Sequence, residues 1–341
     1  MKTERKVARR IAEAGHVLVV CHVSPDGDAI GSMLALGLAL RQHNQRATLV
    51  CADPVPDQQR HLPDWQSIVT LRREAADGTS LQARPLPLDP ECPYDLVISL
   101  DCSDIARLGQ AYDTEALARV PIINIDHHAT NVNFGVVNWV EPGAAATAQL
   151  LTRLVPALGI PITADVATCL LNGILTDTLG FRTPNTTTEV MAAAIQLMDA
   201  GASLSGLTDH IFNRRPLDTI RIWAMALQHL HLEGRILWGE ITLAMRQQVG
   251  YREDGDAGLV NFLNTASEAD MAVVFDELAD GQINVSMRAT PSYDISQVAL
   301  SLGGGGHAQA AGCTLGGPLA AARHQVLSML QEAWQAQTRG R

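Results

Sequence analysis

The sequence predicts an α/β protein with a helix-covered parallel sheet in its N-terminal half, followed by a smaller α/β domain with a mixed or antiparallel sheet. Short, almost continuously apolar segments alternate with helical patterns in the first half, which is typical of parallel strands buried on both faces. The second half instead carries a hairpin pattern, in which two apolar segments flank Ala279-Asp280-Gly281. The 341 residues are enough for two such domains.

Four strands are predicted in the first half, where β-branched and aliphatic residues run together, at 16–21, 47–51, 94–100 and 120–125. Apolar residues at helical spacing predict helices at 28–43, around 114–119, at 144–158 and at 164–175. A further helix near 185–205, capped by Thr187 or Thr188 and ended by Gly201, is expected to link the domains. The predicted division is therefore a first domain over 1–185, a linker helix over 186–205 and a second domain over 206–341.

The second half is predicted to be built around its hairpin. Strands are expected at 235–243, 271–278 and 282–288. A helix at 294–302 leads into the run Gly303-Gly304-Gly305-Gly306-His307, and a last helix covers 318–337. The glycine run is not a P-loop, because no Gly-Lys-Ser/Thr follows it. Taken alone, the glycine run is explained as a flexible loop.

Composition and charge narrow the class of protein. The chain has 25 Lys and Arg against 36 Asp and Glu, a net charge of −11, which argues against a wide basic surface for nucleic acid. It leaves room for a small basic pocket or a metal site. Six scattered cysteines without a C-x-x-C pair predict buried, reduced thiols. With no signal peptide or membrane-length apolar segment, we expect a soluble, cytoplasmic protein without a membrane partner.

Acids and histidines are concentrated where the predicted strands end: His22, Asp26, Asp28, Asp101, Asp126, His127 and His128, with Asp177 beyond a later helix. The carboxyl ends of parallel strands meet at one edge of a sheet, so these residues can converge. Two carboxylates 4 Å apart repel by about 4 kcal/mol at an effective dielectric constant of 20. Divalent cations remove that cost, and a mixture of carboxylate and imidazole ligands suits Mn²⁺.

Each of these residues also has a simpler structural explanation when it is taken alone. An Asp after a strand is commonly a helix cap, a role open to Asp28, and Asp104 is best explained as a structural acid. The pair His127-His128 alone is explained as part of a surface loop. Capping preference does not explain why three strand ends all carry Asp, two of them with a neighbouring His.

The motif series resembles that of the DHH phosphoesterase superfamily, in His22-x-x-Pro25-Asp26-x-Asp28-Ala29-x-Gly31-Ser32, Asp101, Asp126-His127-His128 and Asp177. The later Ser286-Met287-Arg288 and Gly303–His307 followed by Ala310-Ala311-Gly312 resemble the DHH-associated C-terminal domain. Together the motifs extend over about residues 16–315. In size, the chain is most similar to the two-domain nanoRNase and pAp phosphatase group.

The resemblance implies a site with two Mn²⁺ ions. It assigns His22 and Asp26 to the first ion, and Asp28, His127 and Asp177 to the second, with Asp101 bridging the two. Two metal ions about 3.5–4 Å apart activate water and stabilise the attacking and leaving oxygens of an in-line displacement.

The remaining residues of the DHH motif, Asp126 and His128, are expected to act in catalysis. Asp126 would orient an imidazole, and His128 would contact the substrate phosphate or a proton in transit.

The resemblance also implies a nucleotide site in the second domain. Gly304, Gly305, Gly306 and His307 would form a backbone cradle close to the nucleotide, and Arg288 would bind a substrate phosphate. Many members of the superfamily have Ser after this Arg, where the present chain has Ala289. We expect the missing hydroxyl to shift substrate preference.

The function implied is a manganese-dependent phosphodiesterase that hydrolyses very short RNA oligonucleotides to mononucleotides, and also pAp to AMP. Such short substrates need a pocket rather than a charged groove, which agrees with the acidic chain. The alternatives are a cyclic-di-AMP or pApA phosphodiesterase, another phosphoesterase such as a pyrophosphatase or long-chain exonuclease, and a non-catalytic nucleotide sensor. A homodimer stays open.

Overall fold

The computed structural model describes residues 3–74, 81–88, 93–113, 115–252 and 255–339, and the chain divides into two compact units, Met1–Arg214 and Arg215–Arg341. The described strands of the first unit are β1 (His16–Cys21), β2 (Arg46–Cys51), β3 (Ile68–Thr70), β4 (Arg72–Glu74), β5 (Leu81–Ala83), β6 (Leu96–Leu100), β7 (Ile122–Asp126) and β8 (Val137–Val140). One sheet has the order β3-β2-β1-β6-β7-β8, and all its neighbouring strands are parallel. The predicted parallel sheet is confirmed, and β3 and β8 extend it by an edge strand on each side that the sequence does not predict.

The helices of the first unit lie around this sheet and beyond its last strand. They are α1 (Thr3–Glu13), α2 (Gly27–Gln42), α3 (Thr147–Ala157), α4 (Ala164–Asp177), α5 (Thr188–Asp199) and α6 (Leu204–Thr208), the last continued by a π-helical turn, Asp209–Asn213. Short 3₁₀ helices occur at Asp57–Gln59, Trp65–Ser67 and Ile105–Ala111. The helix predicted around 114–119 is wrong over its described part, 115–119, which forms turns. Pro121 leaves too little chain there for two helical turns.

Strand β1 shows why the predicted strands are continuously apolar. Val17, Val19 and Cys21 belong to the apolar core that includes α2, α3 and α4, whereas Leu18 and Val20 belong to the core on the opposite face. Side chains alternate between the two faces of a strand, so a sheet covered on both sides requires apolar residues at every position. The carboxyl edge of the sheet is therefore where polar side chains can begin.

The second unit has a mixed sheet, as predicted. Its strands are β9 (His231–Glu233), β10 (Ile236–Ile241), β11 (Met271–Glu277), β12 (Gln282–Ala289), β13 (Gly305–His307) and β14 (Ala310–Gly316), in the order β13-β14-β12-β11-β10-β9. The pair β10–β11 is parallel and the other pairs are antiparallel. The helices are α7 (Leu217–Leu227), α8 (Leu243–Val249), α9 (Leu259–Leu263), α10 (Ser296–Ser301) and α11 (Leu319–Arg339). The helices α7, α8 and α9 are not predicted from the sequence.

The division between the units falls later in the chain than the predicted linker. Helix α5 occupies most of the segment 186–205 and lies inside the first unit, where its Val190 and Leu197 are fully buried in the core. The chain passes from one unit to the other at Arg214–Arg215. Apolar residues at helical spacing predict the helix but do not indicate which core it joins.

The structure also shows whether the cysteines are buried and whether a described helix is long enough to cross a membrane. Five cysteines lie in the described part of the chain, and all are buried and without a disulfide; the sixth, Cys92, lies outside that part. Over the described ranges, no single helix has the length and apolar composition needed to cross a membrane. A sharply bent pair, Thr188–Asp199 with Leu204–Asn213, meets that test of length and composition only when its two helices are taken together.

Candidate active site

Strand register places the predicted site residues side by side. In the parallel sheet Cys21 pairs with Leu100, and Leu100 pairs with Ile125. The next residues along the three strands are therefore His22, Asp101 and Asp126, which emerge together at the carboxyl edge. The convergence predicted from the sequence is a direct result of this register.

The loop after β1 brings His22 and Asp26 towards Asp101. His22 donates from Nδ1 to the carbonyl oxygen of Val23 at 2.7 Å, which leaves Nε2 facing Asp26 Oδ2 at 3.9 Å and Asp101 Oδ2 at 3.6 Å. Asp26 is also the N-cap of α2, because its Oδ1 accepts hydrogen bonds from the backbone N–H groups of Asp28 and Ala29. One oxygen of Asp26 therefore caps the helix while the other faces the site.

Asp28 is not the cap of α2 but a fully buried residue inside its first turn. Its carboxylate accepts hydrogen bonds from the backbone N–H groups of Thr147 at 2.6 Å and Ala148 at 2.9 Å, at the start of α3. The hydroxyl of Ser32 donates a third bond at 3.2 Å. A Cβ at position 173 would lie 2.5 Å from Asp28 Oδ1, so glycine at that position of α4 makes space for the carboxylate.

His127 and Asp177 complete a group with Asp28 in which one potential ligand atom from each residue lies within 4.8 Å of the others. His127 Nε2 is 3.1 Å from Asp177 Oδ2 and 3.4 Å from Asp101 Oδ1. That nitrogen is buried, yet it makes no well-oriented hydrogen bond in the described part of the chain. A buried nitrogen directed into a group of carboxylate oxygens is the arrangement that a metal ion satisfies.

Asp101 lies between the two groups. Its Oδ2 faces His22 and its Oδ1 faces His127, so one carboxylate serves both sides. The residue has a left-handed backbone (φ 57°), a conformation that Asp tolerates better than most side chains. Its burial acts to raise its pKa, but the imidazoles of His127 and His22, which face its two oxygens, outweigh this and hold the pKa of Asp101 well below its ordinary value. It is therefore ionised throughout the neutral range.

Asp126 and His128 form a hydrogen-bonded pair. His128 Nδ1 lies 2.7 Å from Asp126 Oδ1, and the backbone N–H groups of His127 and His128 donate to the same oxygen. The other oxygen of Asp126 accepts a hydrogen bond from Asn131 Nδ2, which also contacts Asn124 Oδ1 at 2.7 Å. Asp126, which is fully buried, thus fixes the ring of His128 in one orientation.

Electrostatics at this edge favours a positive charge among the acids. Burial, together with Asp101 and Asp177, raises the pKa of Asp28 well above its ordinary value. Burial and the charge of Asp101 raise the pKa of Asp177 to about 6 despite the nearby His127. Burial acts to lower the pKa of His127, but Asp101 and Asp177 raise it to about 12. Protons and metal ions compete for these atoms, and the residues present fit a metal centre.

Two of the predicted nucleotide residues of the second unit, Arg288 and His307, lie on one face of its sheet. Strand register aligns Arg288 with Ala310 and Ala310 with His307, so the three share a face. Arg288 is half-buried and donates from Nε to Asn261 Oδ1 on α9 at 2.8 Å and from Nη1 to the carbonyl of Met287 at 2.9 Å. Asn261, which is not predicted from the sequence, therefore orients this guanidinium group.

The end of the glycine run is a strand, because Gly305–His307 forms β13 against β14, whereas Gly303 and Gly304 precede that strand. At Gly306 (φ 139°) an added Cβ would lie 2.4 Å from the carbonyl oxygen of Ala310. At Gly304 it would lie 2.1 Å from the carbonyl oxygen of Gly312, whereas at Gly305 it would meet nothing within 4 Å. Among the described residues, the run therefore combines two closely packed glycines, Gly304 and Gly306, with two whose Cβ positions are open, Gly303 and Gly305.

The position of Ala289 does not support its expected effect on substrate preference. Side chains alternate along β12, so Arg288 and Ala289 lie on opposite faces. Ala289 is 3% exposed and packs in the apolar core with Met287 and Val285. A hydroxyl at this position would meet core side chains rather than a substrate on the face of Arg288.

Comparison with known proteins identifies the family. The sequence model of the DHH family, N-terminal domain, matches residues 16–174, and that of the DHHA1 domain matches residues 243–336. The bifunctional oligoribonuclease and PAP phosphatase NrnA of Thermus thermophilus is 36% identical over 94% of this chain and 91% of that protein. The chain belongs to the DHH family. It is therefore a phosphoesterase of a metal-dependent class.

Other similar proteins match this chain at lower identity. The cyclic-di-AMP phosphodiesterase GdpP of Geobacillus thermodenitrificans is 26% identical over 87% of this chain, which spans 44% of that longer protein. The crystal structure of an exopolyphosphatase-related protein from Bacteroides fragilis has the same fold, with a TM-score of 0.86 at 22% identity and coverage of 99% and 98% of the two chains.

Several residues at the DHH site were not predicted from the sequence. Thr147 and Ala148 were seen only as part of a helix, yet they contact the acids directly. Asn131 lies four residues after His127 in a loop of Asn residues, which offers no local sign of its contact with Asp126. Contacts between elements separated by up to 120 positions leave no trace in helical or strand periodicity.

Proposed function

We propose that the chain is a manganese-dependent phosphodiesterase that hydrolyses very short RNA oligonucleotides to mononucleotides, and also pAp to AMP. The observation that carries this proposal is that two potential ligand groups lie at one edge of the sheet, His22 with Asp26 and Asp101, and Asp28 with His127 and Asp177. Asp101 Oδ1 lies 3.4 Å from His127 Nε2, so this carboxylate also faces the second group. The substrate assignment is supported by the Thermus relative, whose name records both activities.

We assign two Mn²⁺ ions to this site. His22 and Asp26 would hold one ion, Asp28, His127 and Asp177 would hold the other, and Asp101 would contact both. Mixed imidazole and carboxylate ligands favour Mn²⁺ over Ca²⁺, which prefers oxygen alone. When bound, such ions supply Lewis acidity to the phosphodiester and neutralise the buried carboxylates.

The protein's own residues would then orient the substrate and handle protons. Asp126 holds His128 through Nδ1, and this pairing directs the opposite ring nitrogen, Nε2, away from the carboxylate. We assign His128 Nε2 to the substrate phosphate or to protonation of the leaving oxygen. Asn131, by donating to Asp126, keeps the pair in this orientation.

In the second unit we assign Arg288 to a substrate phosphate, with Asn261 holding its guanidinium in place. Gly304, Gly305, Gly306 and His307 are assigned to the nucleotide. Gly305, Gly306 and His307 form a short strand, β13, at the edge of the sheet, and Gly304, whose backbone N–H donates to the carbonyl oxygen of Ala299, precedes it. Such a site recognises a short nucleotide rather than a long strand.

A time course with Mn²⁺ on three substrates tests the proposal: a 5′-phosphorylated RNA dinucleotide, a long single-stranded RNA and cyclic-di-AMP. We expect rapid conversion of the dinucleotide, slow conversion of the long RNA and almost none of the cyclic compound. Rapid opening of cyclic-di-AMP would favour the signalling activity that names the more distant relative. No turnover of any substrate by the manganese-bound protein would overturn the hydrolase and favour a nucleotide sensor.

The cytoplasm is the proposed location, since short RNA fragments arise there. The acidic chain, with no membrane-length single helix among its described residues, is compatible with this location. Sedimentation of the purified protein at several concentrations would determine whether two copies of the chain form a homodimer.

A further inference from the structure

One short segment, residues 144–148, contacts potential ligands from three different elements. The carbonyl oxygen of Ala144 accepts a hydrogen bond from His127 Nδ1 at 3.3 Å, at the end of β7. The backbone N–H groups of Thr147 and Ala148 bind Asp28 on α2. Ala144, Thr147 and Ala148 are all buried, so these contacts are shielded from water.

Thr147 adds a contact that no other residue of this segment can make. Its hydroxyl donates to Asp101 Oδ1 at 3.0 Å, at the end of β6, while its backbone N–H binds Asp28. Asp101 belongs to the group formed with His22 and Asp26, and Asp28 to the group formed with His127 and Asp177. Thr147 therefore connects the two groups through a single residue that is fully buried.

The hydroxyl of Thr147 determines how the carboxylate of Asp101 is turned. Rotation about the terminal bond of an Asp side chain is soft, so the backbone alone does not fix the plane of the carboxylate. The 3.0 Å bond to Oδ1 leaves Oδ2 facing His22 Nε2 and keeps Oδ1 beside His127 Nε2. In that orientation each oxygen faces a different ligand group.

We propose that Thr147 is a positioning residue that holds Asp101 in the orientation needed to serve two metal ions at once. This inference rests on the proposed two-metal function. It predicts that loss of the hydroxyl weakens the binding of the metal pair while leaving Asp28 in place, because the backbone N–H of residue 147 is retained.

The test compares Thr147→Val with Thr147→Ser and with wild type. Valine has nearly the shape of threonine without its hydroxyl, and serine retains the hydroxyl. Thr152→Val is the matched control, since Thr152 lies in the same helix, is 4% exposed and donates its hydroxyl only to the local carbonyl of Gln149 among its described contacts. Mn²⁺ affinity is measured by calorimetry, and electron paramagnetic resonance detects spin coupling between two bound ions.

We expect Thr147→Val to bind Mn²⁺ at least about 10-fold more weakly and to lose the spin-coupled signal, as for other residues that orient metal ligands. Thr147→Ser and Thr152→Val should both retain affinity and coupling. Where Thr147→Val does not fold, Thr147→Ala removes the same hydroxyl without adding a methyl group and provides the comparison.

The folded variant without the hydroxyl could retain the Mn²⁺ affinity and the spin coupling of a wild type that shows both. That result would overturn the role of Thr147 and leave the proposed function in place. An equal loss in Thr152→Val would also overturn it, since helix packing would then explain the effect. A wild type that binds no pair of Mn²⁺ ions would instead overturn the proposed function, and the inference with it.

Discussion

The two units differ in how deeply they bury most of their candidate site residues, although Asp26 of the first unit is exposed. In the first, Asp28, Asp101 and Asp126 are at most 1% exposed, and each is held by groups from other elements. In the second, Arg288 is half-buried and held by Asn261 and its own backbone, beside the exposed His307. Removing one member of a buried cluster of charges leaves the others without compensation, so single changes there should have large effects. An open face contributes binding energy contact by contact, so single changes there should reduce affinity and leave the chemistry intact.

The largest effect is expected from Asp101→Asn. Asparagine tolerates the left-handed backbone and can still accept the Thr147 hydroxyl, but it removes the charge shared by both ligand groups. Loss of several kcal/mol of transition-state stabilisation by the metal ions should lower kcat on an RNA dinucleotide by at least about 10³-fold. Asp104→Asn is the control, because Asp104 caps the 3₁₀ helix Ile105–Ala111 and should not affect turnover. Activity of Asp101→Asn near that of wild type would contradict the shared role of this carboxylate.

Arg288→Ala should affect binding rather than chemistry. Loss of a charge-assisted contact to a phosphate should raise KM for the dinucleotide by about 10- to 100-fold, with little change for bis-p-nitrophenyl phosphate. Arg235→Ala removes an exposed arginine paired with Asp270 and serves as the control. An equal loss on both substrates would mean that Arg288 supports structure or chemistry instead of nucleotide recognition.

Alanine variants of two neighbouring glycines of β13 distinguish an effect on packing from an effect on nucleotide binding. Gly306→Ala forces a Cβ against the carbonyl oxygen of Ala310 at a positive φ and should cost about 1–3 kcal/mol of unfolding free energy. Gly305→Ala places its methyl in open space and should leave stability unchanged. Urea unfolding and dinucleotide KM are measured for both variants. A raised KM in stable Gly305→Ala supports close approach of the nucleotide; an unchanged KM contradicts it.

The buried cluster should make metal-free stability depend on pH. The pKa of His127 is raised to about 12, so its protonated form stabilises the fold below the ordinary histidine pKa of about 6.5, and this contribution is lost as pH rises towards 12. In chelator, the melting temperature should fall between about pH 6.5 and pH 8, by about 2–4 °C per kcal/mol lost. Mn²⁺ should stabilise more at the higher pH, since it replaces protons. A metal-free melting temperature that rises over this interval would contradict the assignment.

The smallest functional effect is expected from Ala289→Ser. This side chain faces the core, so the added hydroxyl should lower stability slightly without altering the relative turnover of dinucleotide, pAp and cyclic-di-AMP. Turnover of the three substrates by the variant and by wild type provides the measurement. A changed preference would place residue 289 at the nucleotide after all.

One physical cause explains which site residues could be predicted from the sequence and which could not. Apolar strands end in acids because the interior of the sheet excludes charge, so local patterns located His22, Asp101 and Asp126. The contacts of Thr147 with Asp28 and of Asn261 with Arg288 join segments that are distant in the chain. Packing between elements determines those contacts, and periodicity within one element does not record it.

The same limitation explains the remaining differences. Helix α5 was expected from its spacing, but its inclusion in the first unit depends on the buried Val190 and Leu197 meeting that unit's core. Asp26 was expected as a potential ligand, and its additional role as the cap of α2 appears only when the backbone is traced. Structural and functional explanations of one acid are therefore not exclusive, since each carboxylate has two oxygens.

Gly173 carries a consequence for the history of this sequence. A side chain at this position would occupy the space of Asp28 Oδ1 and of the Ala148 methyl group. As long as the acid at position 28 is needed, any larger amino acid at position 173 should be disfavoured, although the glycine itself has no side chain to take part in chemistry. In a related sequence, a bulky residue at this position would indicate that the carboxylate at position 28 no longer occupies this buried place. This would hold even where every acid and histidine of the site is retained in the sequence.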